Sequence, residues 1–133
     1  MKGLSIIELE VSRDARGWNT HPLDETALRD GKFANVHIVS MEPGAIRGNH
    51  RHGRQTEHVL IVGGPTLLAV EDEDTGERFE RIFYSHEQFR LTFEPGIAHA
   101  FKNIGEGAVY LLCASDLAFN PDSPDTERAA LIE

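Results

Sequence analysis

Cysteine is nearly absent from this chain, and basic residues are scarce beside acidic ones. Cys113 is the single cysteine among 133 residues. One thiol cannot close an intrachain disulfide, and the apolar run VYLLCAS around it reads as a site for a small buried hydrophobe. Lys and Arg number 13 against 22 Asp and Glu, a net charge of -9. That imbalance argues against nucleic-acid binding, which needs clustered cations to neutralise phosphates. Its main effect is to keep the protein soluble, and a few local arginines can still serve a small phosphate-bearing molecule. No apolar run approaches the roughly 20 residues of a membrane-spanning helix. The start, MKGLSIIELEVSRD, reaches charge within ten residues, unlike a signal peptide. The expectation is a cytoplasmic protein with neither a membrane nor a nucleic-acid partner. No internal repeat or low-complexity segment stands out.

What the chain has is an ordinary globular composition, 40% hydrophobic and 26% charged, in a length that suits one domain. Apolar residues recur with period two in short runs punctuated by Gly, Pro and Asp, the pattern of an antiparallel β protein. Ile7, Leu9 and Val11 alternate in a first run, which SRDARG breaks. HPLDETALRDGK is the one helix candidate, near residues 23–30, starting at Asp24 or Thr26 and ending at Gly31. FANVHIVSM, EHVLIV, TLLAVED, RFERIFY, QFRLTF, AHAFKN and AVYLLCAS follow as strands, and DLAFNPDSPDTERAALIE reads as an outer wrap. About eight strands at this spacing suggest a small barrel or double-sheet jelly roll. An immunoglobulin-type sandwich gains nothing from a lone Cys and from Trp18 in a loop.

The chemistry concentrates in GAIRGNHRHGRQTEHVLIVGG, residues 44–64. Side chains two apart on a strand leave the same face, so His50 and His52 can aim at one point. GRQT then lets the chain reverse and bring Glu57 onto the neighbouring strand, while His58 must face the other way. EPGIAHAFKN adds His99 after a Pro-Gly turn. Three neutral imidazoles and one carboxylate suit a divalent ion: Zn, Fe, Mn, Ni or Co.

The spacing runs Gly44, five residues, His50-x-His52, four residues, Glu57, six residues, Gly64, with a second block Pro95-Gly96-x-x-His99-x-x-x-Asn103. At these residues the chain resembles the cupin superfamily, although Pro95 directly precedes Gly96 where many members have one residue between. The resemblance implies an all-β, single-domain double-stranded β-helix, the cupin jelly-roll barrel. Its parts would be an N-terminal strand and loop over 1–32, a barrel over 33–115 and a C-terminal wrap over 116–133. It also implies a metal held by His50, His52, Glu57 and His99, and a homodimer.

Within that superfamily, DARGW (14–18), FANVHIVSMEPGAIRGNH (33–50) and PGIAHAF (95–101) look like the nucleotide-sugar 3,5-epimerase group. Carried over, His50 is the base, Arg47 binds substrate, Asn35 and His37 share one strand face beside it, and Arg16 helps hold the nucleotide diphosphate. Those epimerases lack the counterparts of His52 and Glu57 and use a late tyrosine as general acid. Here the tyrosines are Tyr84 and Tyr110, and Phe119 stands near that point, where a phenyl ring has no proton to give. RGNHRH with the late AFNPDSPDTER is similar instead to the metal-binding cupin domain of capsular-polysaccharide nucleotide-sugar reductases. Small sugar-nucleotide ketoisomerases share the HxH run. The common implication is metal-assisted proton chemistry on a nucleotide-linked keto sugar, with His37 as a candidate acid or base. An Fe(II)-dependent cupin dioxygenase and a non-catalytic sugar-binding or regulatory module are the alternatives.

Overall fold

Runs of β-branched and aromatic residues with alternating polarity form strands because each second side chain can be buried while its neighbours stay in water. A computed structural model describes all 133 residues. It places strands at β1 (Leu4–Glu8), β2 (Val11–Asp14), β3 (Gly17–Thr20), β4 (Asn35–Met41), β5 (Ile46–Arg51) and β6 (Glu57–Val62). Beyond these lie β7 (Thr66–Asp72), β8 (Arg78–Phe83), β9 (Phe89–Phe93), β10 (Ile97–Asn103), β11 (Val109–Ser115) and β12 (Glu127–Arg128). The one helix is α1 (Glu25–Arg29), capped by the Asp24 carboxylate accepting from the Thr26 N–H.

Two antiparallel five-stranded sheets, in the orders β1-β9-β6-β11-β4 and β12-β5-β10-β7-β8, make the jelly roll. Between them Val59 and Ile61 of β6, Leu91 and Phe93 of β9, Leu68 and Val70 of β7, and Leu111 of β11 belong to one buried cluster that includes Cys113. Each such side chain contributes roughly 1.5–3 kcal/mol through burial. A smaller cluster lies on the other side of the second sheet. There the C-terminal segment lays Leu131 and Ile132 over Ala69, Ala100, Ile46 and Leu67. Alanines at 69 and 100 keep that face shallow enough for a chain segment to lie on it, which is why β10 is buried almost throughout.

Three sequence expectations need correction. SRDARG does not simply interrupt a strand: residues 11–20 form the separate β2–β3 hairpin, with Trp18 on β3 opposite Arg13 rather than in a loop. The Asp14 carboxylate accepts the Arg16 N–H, and Gly17 takes the positive φ of 137° that closes the turn. The run of Ile7, Leu9 and Val11 is likewise split, since β1 ends at Glu8 and Leu9 donates to the Gln88 carbonyl. Finally, the C-terminal wrap contains the short strand β12, paired to β5 at Arg51 and His50.

Gly48 marks the tightest approach between β5 and β10. It sits at a φ of +87°, and an added Cβ would lie 2.7 Å from the His99 carbonyl oxygen. Gly48→Ala is therefore expected to cost roughly 2–4 kcal/mol, combining left-handed strain with overpacking. Urea unfolding of the two proteins measures this, and an unchanged midpoint would contradict the close approach.

Candidate metal centre

An irregularity in β5 builds one wall of the site. Its register with β10 runs Lys102 to Ile46, Phe101 to Arg47 and Ala100 to Gly48, then jumps to His99 against His50. Asn49 is the extra residue, at a φ of 53°, the one non-glycine with positive φ. Such a bulge re-aims the side chains beyond it. Simple alternation from Arg47 would send Asn49 inward and His50 outward. With the bulge, Arg47 and His50 both reach the inner cavity although they are three residues apart.

His99 comes from β10, directly across from His50, and is 0% exposed. Glu57 opens β6, in the opposite sheet, so the GRQT segment crosses between sheets instead of returning to a neighbouring strand of the same one. The long strand beside β5 is β10, the one that carries His99. His58 faces the other side, as expected. It is half-buried there, with Nδ1 2.9 Å from the Thr92 hydroxyl and its ring edge-on to Phe33.

The four ligand-type atoms of His50, His52, Glu57 and His99 lie within 4.8 Å of one another. Their tautomers follow from their partners. His99 Nδ1 is 3.1 Å from the Ile97 carbonyl, and His52 Nδ1 is 2.7 Å from the Asp125 carbonyl. A carbonyl oxygen only accepts, so both Nδ1 atoms carry hydrogen and both Nε2 atoms of the neutral rings present lone pairs. Those two Nε2 atoms are buried without a hydrogen-bond partner. They stand 3.3 and 3.6 Å from the two oxygens of Glu57. Lone pairs facing a carboxylate repel unless a cation or a proton lies among them, so this donor set fits a divalent ion. Phe93, stacked on the His99 ring at 4.1 Å between centroids, holds that imidazole in plane.

Protonation follows the same geometry. Burial, reinforced by the His99 and His52 imidazoles, lowers the His50 pKa to about 4. Burial also opposes a charge on His52, but the Glu57 carboxylate and the Asp125 carbonyl outweigh it and raise that pKa. Burial would raise the Glu57 carboxyl, yet His52 and His99 hold it well below the usual carboxylate range. Cys113 is pushed up to about 12, first by burial and then by Glu57, so it stays a thiol.

Beside the cluster is a cavity of about 300 Å³. His37, Arg47, His50, Glu57 and His99 supply its polar lining, and Val39, Phe101, Leu111 and Cys113 its apolar side. His37 Nδ1 is 2.7 Å from Asn35 Oδ1, and the Arg47 guanidinium donates to the Ser40 carbonyl. Asn35 and Glu57 both register with Ser115 of β11. The structure thus brings together every expected site residue but one. Arg16 is 91% exposed at the tip of the β2–β3 hairpin, paired with Asp14, and is not among the cavity's lining residues. No tyrosine lines the cavity: Tyr84 stacks on His86, and Tyr110, on β11, is also exposed. Phe119 is 74% exposed and borders a separate hollow with Arg54 and Asn120. Sequence reasoning missed Asn49, Phe93 and Asp125. Asn49 stood in RGNHRH and Asp125 in AFNPDSPDTER, both stretches already singled out, but neither was read as a site residue.

A depressed His50 pKa means that the unfolded chain binds the extra proton first as pH falls. The stability tied to neutral His50 is present above pH 6.5 and lost as pH falls through about 4. In metal-free protein, imidazole NMR is expected to give a His50 midpoint near 4, with the melting temperature declining over the same window. A midpoint at the ordinary 6.5 would contradict the burial.

Comparison with known proteins places this arrangement. The model of the family described as the polysaccharide biosynthesis C-terminal domain matches residues 12–127. The spore coat polysaccharide biosynthesis protein SpsL of Bacillus subtilis (strain 168) is 26% identical over 133 residues, covering 95% of this chain and 87% of that one. Among solved structures, the capsular polysaccharide assembling protein CapF of Staphylococcus aureus is similar with a TM-score of 0.70 and 22% identity. The match covers 92% of this chain but 33% of CapF, so this chain spans about a third of that protein. A dTDP sugar isomerase from Desulfovibrio desulfuricans G20 has a TM-score of 0.83 at 16% identity, covering 97% of this chain and 85% of its own. The rmlC epimerase of Mycobacterium tuberculosis has a TM-score of 0.76 at 18% identity, covering 96% and 68%. The fold is the RmlC-like cupin jelly roll.

Proposed function

This chain belongs to the polysaccharide biosynthesis C-terminal domain family, and from that premise we propose that it is a metal-dependent isomerase or epimerase acting on a nucleotide-linked keto sugar. The observation that carries the reading is the pair of buried Nε2 lone pairs facing one carboxylate, a donor set that calls for a cation. Similarity to proteins described as a dTDP sugar isomerase and an epimerase supports the substrate class. SpsL and the family description support a place in polysaccharide biosynthesis.

His50, His52, Glu57 and His99 would hold the ion, which when bound supplies Lewis-acid stabilisation of negative charge on a substrate carbonyl oxygen. The proton beside that carbonyl goes to His37 while the C–H bonding pair passes into an enediolate, and the His37 imidazolium, or water after exchange, returns a proton to carbon to complete the isomerisation. Asn35 Oδ1 accepts from His37 Nδ1, which leaves Nε2 with a lone pair, and as a residue lining the cavity His37 would serve as the base. Arg47, held by the Ser40 carbonyl on the same rim, offers its remaining N–H groups to an anionic or hydroxyl-bearing part of the substrate. Val39, Phe101 and Leu111 keep one side of the cavity dry, which strengthens each of these interactions. His50, neutral near pH 7 and ringed by two other imidazoles, serves here as a ligand rather than as the base.

The same reading includes a homodimer. β4 is an edge strand whose outer face exposes Val36 and Ile38, the latter 68% accessible, with Tyr110 beside them on β11. An apolar strip on an unpaired edge favours a second copy. Sedimentation velocity is expected to give a dimer for the parent protein and a monomer for Ile38→Asp.

Incubation with nucleotide 4-keto sugars in deuterium oxide tests the chemistry. Solvent deuterium is expected at the carbon beside the carbonyl, with uptake abolished by chelator and slowed about 10²-fold or more in His37→Ala. No uptake from any such sugar would overturn the catalytic reading, and saturable thermal stabilisation by the same sugars would then identify a binding module.

A further inference from the structure

The segment that follows the last long strand touches the site at a point that neither the four ligands nor the cavity residues account for. Asp125 stands just before β12. Its backbone carbonyl accepts the Nδ1–H of His52 at 2.7 Å. Its carboxylate accepts three successive backbone N–H groups, from Gly53 at 3.2 Å, Arg54 at 3.0 Å and Gln55 at 2.9 Å. Those three residues lie in the short crossing from β5 to β6, the stretch that joins His52 to Glu57. Thr56, the last residue of that crossing, donates its N–H to the Asp116 carboxylate. The Arg54 guanidinium adds a longer contact, at 3.4 Å, from an exposed position. A second tie lies seven residues on, where the Asn49 side chain accepts from the Leu131 and Ile132 N–H groups and donates to the Ile132 carbonyl. Both ends of the C-terminal strap are thus fastened beside histidines of the cluster, one at Asn49 next to His50 and the other at His52 itself.

We propose that Asp125 is a positioning residue for the metal centre, acting through His52. Its carbonyl keeps the His52 proton on Nδ1 and so leaves Nε2 free to bind an ion, while its carboxylate sets the conformation of residues 53–55 and with it the spacing of His52 from Glu57. The inference rests on the metal reading above but adds a residue outside the ligand set. An outer partner of this kind alters metal affinity because a ring free to turn, or to carry its proton on Nε2, must be reset before it can coordinate. Asp125 would then couple docking of the C-terminal strap to occupancy of the site, because either one organises the same loop.

Titration of the metal-free protein with Co(II) and with Zn(II), by calorimetry and by visible absorption for Co(II), tests this. Asp125→Ala is expected to weaken both ions by roughly 10–100-fold and to change the Co(II) spectrum. Asp125→Asn keeps the shape but leaves at least one of the three N–H groups without an oxygen. It is expected to fall between the two, and it carries the test alone if Asp125→Ala does not fold. A variant that melts earlier but binds Co(II) with parental affinity and spectrum would make Asp125 merely structural and overturn the inference. If the parental protein takes up neither ion, the metal reading itself fails. Imidazole 15N NMR of the metal-free proteins, at a pH alkaline enough to keep His52 neutral, then still decides the Asp125 claim: the substitution leaves the backbone carbonyl but removes the carboxylate that anchors it beside His52, so parental His52 should show a single Nδ1–H form and Asp125→Ala a mixture, and identical spectra would refute it.

Discussion

One extra residue in one strand decides where the histidines point. Asn49, inserted between Gly48 and His50, breaks the two-residue alternation of β5 and puts His50 across from His99. Were β5 to run through these same residues with regular alternation, Arg47 would keep its inward direction, but Asn49 would take the inward place of His50 and the imidazole cluster would lose a member. The bulge depends in turn on its surroundings. Gly48 has no Cβ to strike the His99 carbonyl, and Asn49 tolerates a left-handed backbone while its side chain binds the chain end at Leu131 and Ile132. A local irregularity is therefore paid for by contacts more than 80 residues away in sequence.

The electrostatics of the site follow from who occupies the outward nitrogens. Two backbone carbonyls, of Ile97 and Asp125, take the Nδ1 hydrogens of His99 and His52, and this turns two lone pairs toward a carboxylate in a setting with little water. Such an arrangement stores repulsion until something positive enters it. The same geometry raises the His52 pKa, through Glu57 and the Asp125 carbonyl, and lowers that of His50, through burial. The acidic surface and the lone Cys113 play no part in this balance, since the thiol is locked in its protonated state by the same burial that dries the cavity.

Much of this was legible in the residues. The all-β class, a short helix beginning at Asp24 or Thr26, of which the structure chooses Asp24 as the cap, the buried Cys113 and the set His50, His52, Glu57 and His99 were readable from alternation and spacing. The β2–β3 hairpin was not, because SRDARGWNT has strong turn chemistry and weak alternation, and its pairing is decided by the Asp14 contact to Arg16. The gap in the resemblance to the epimerases, the missing late tyrosine, was visible at Phe119. That Tyr110 also stays clear of the cavity depended on strand parity, which puts Leu111 inward and Tyr110 outward, while Tyr84 lies past the end of β8, stacked on His86.

By itself the sequence determined which chemistry is present: three imidazoles and a carboxylate at fixed separations, in a chain whose period-two pattern makes the strands that carry them. Only the tertiary structure decided that Glu57 reaches the cluster from the opposite sheet, that a bulge reverses the direction of His50, and that Asp125 supports His52. The reason is physical. Alternation along a strand is a property of consecutive residues, whereas register, bulges and the partner of a buried nitrogen are set by what lies across the barrel, and no local pattern encodes a partner 73 positions away.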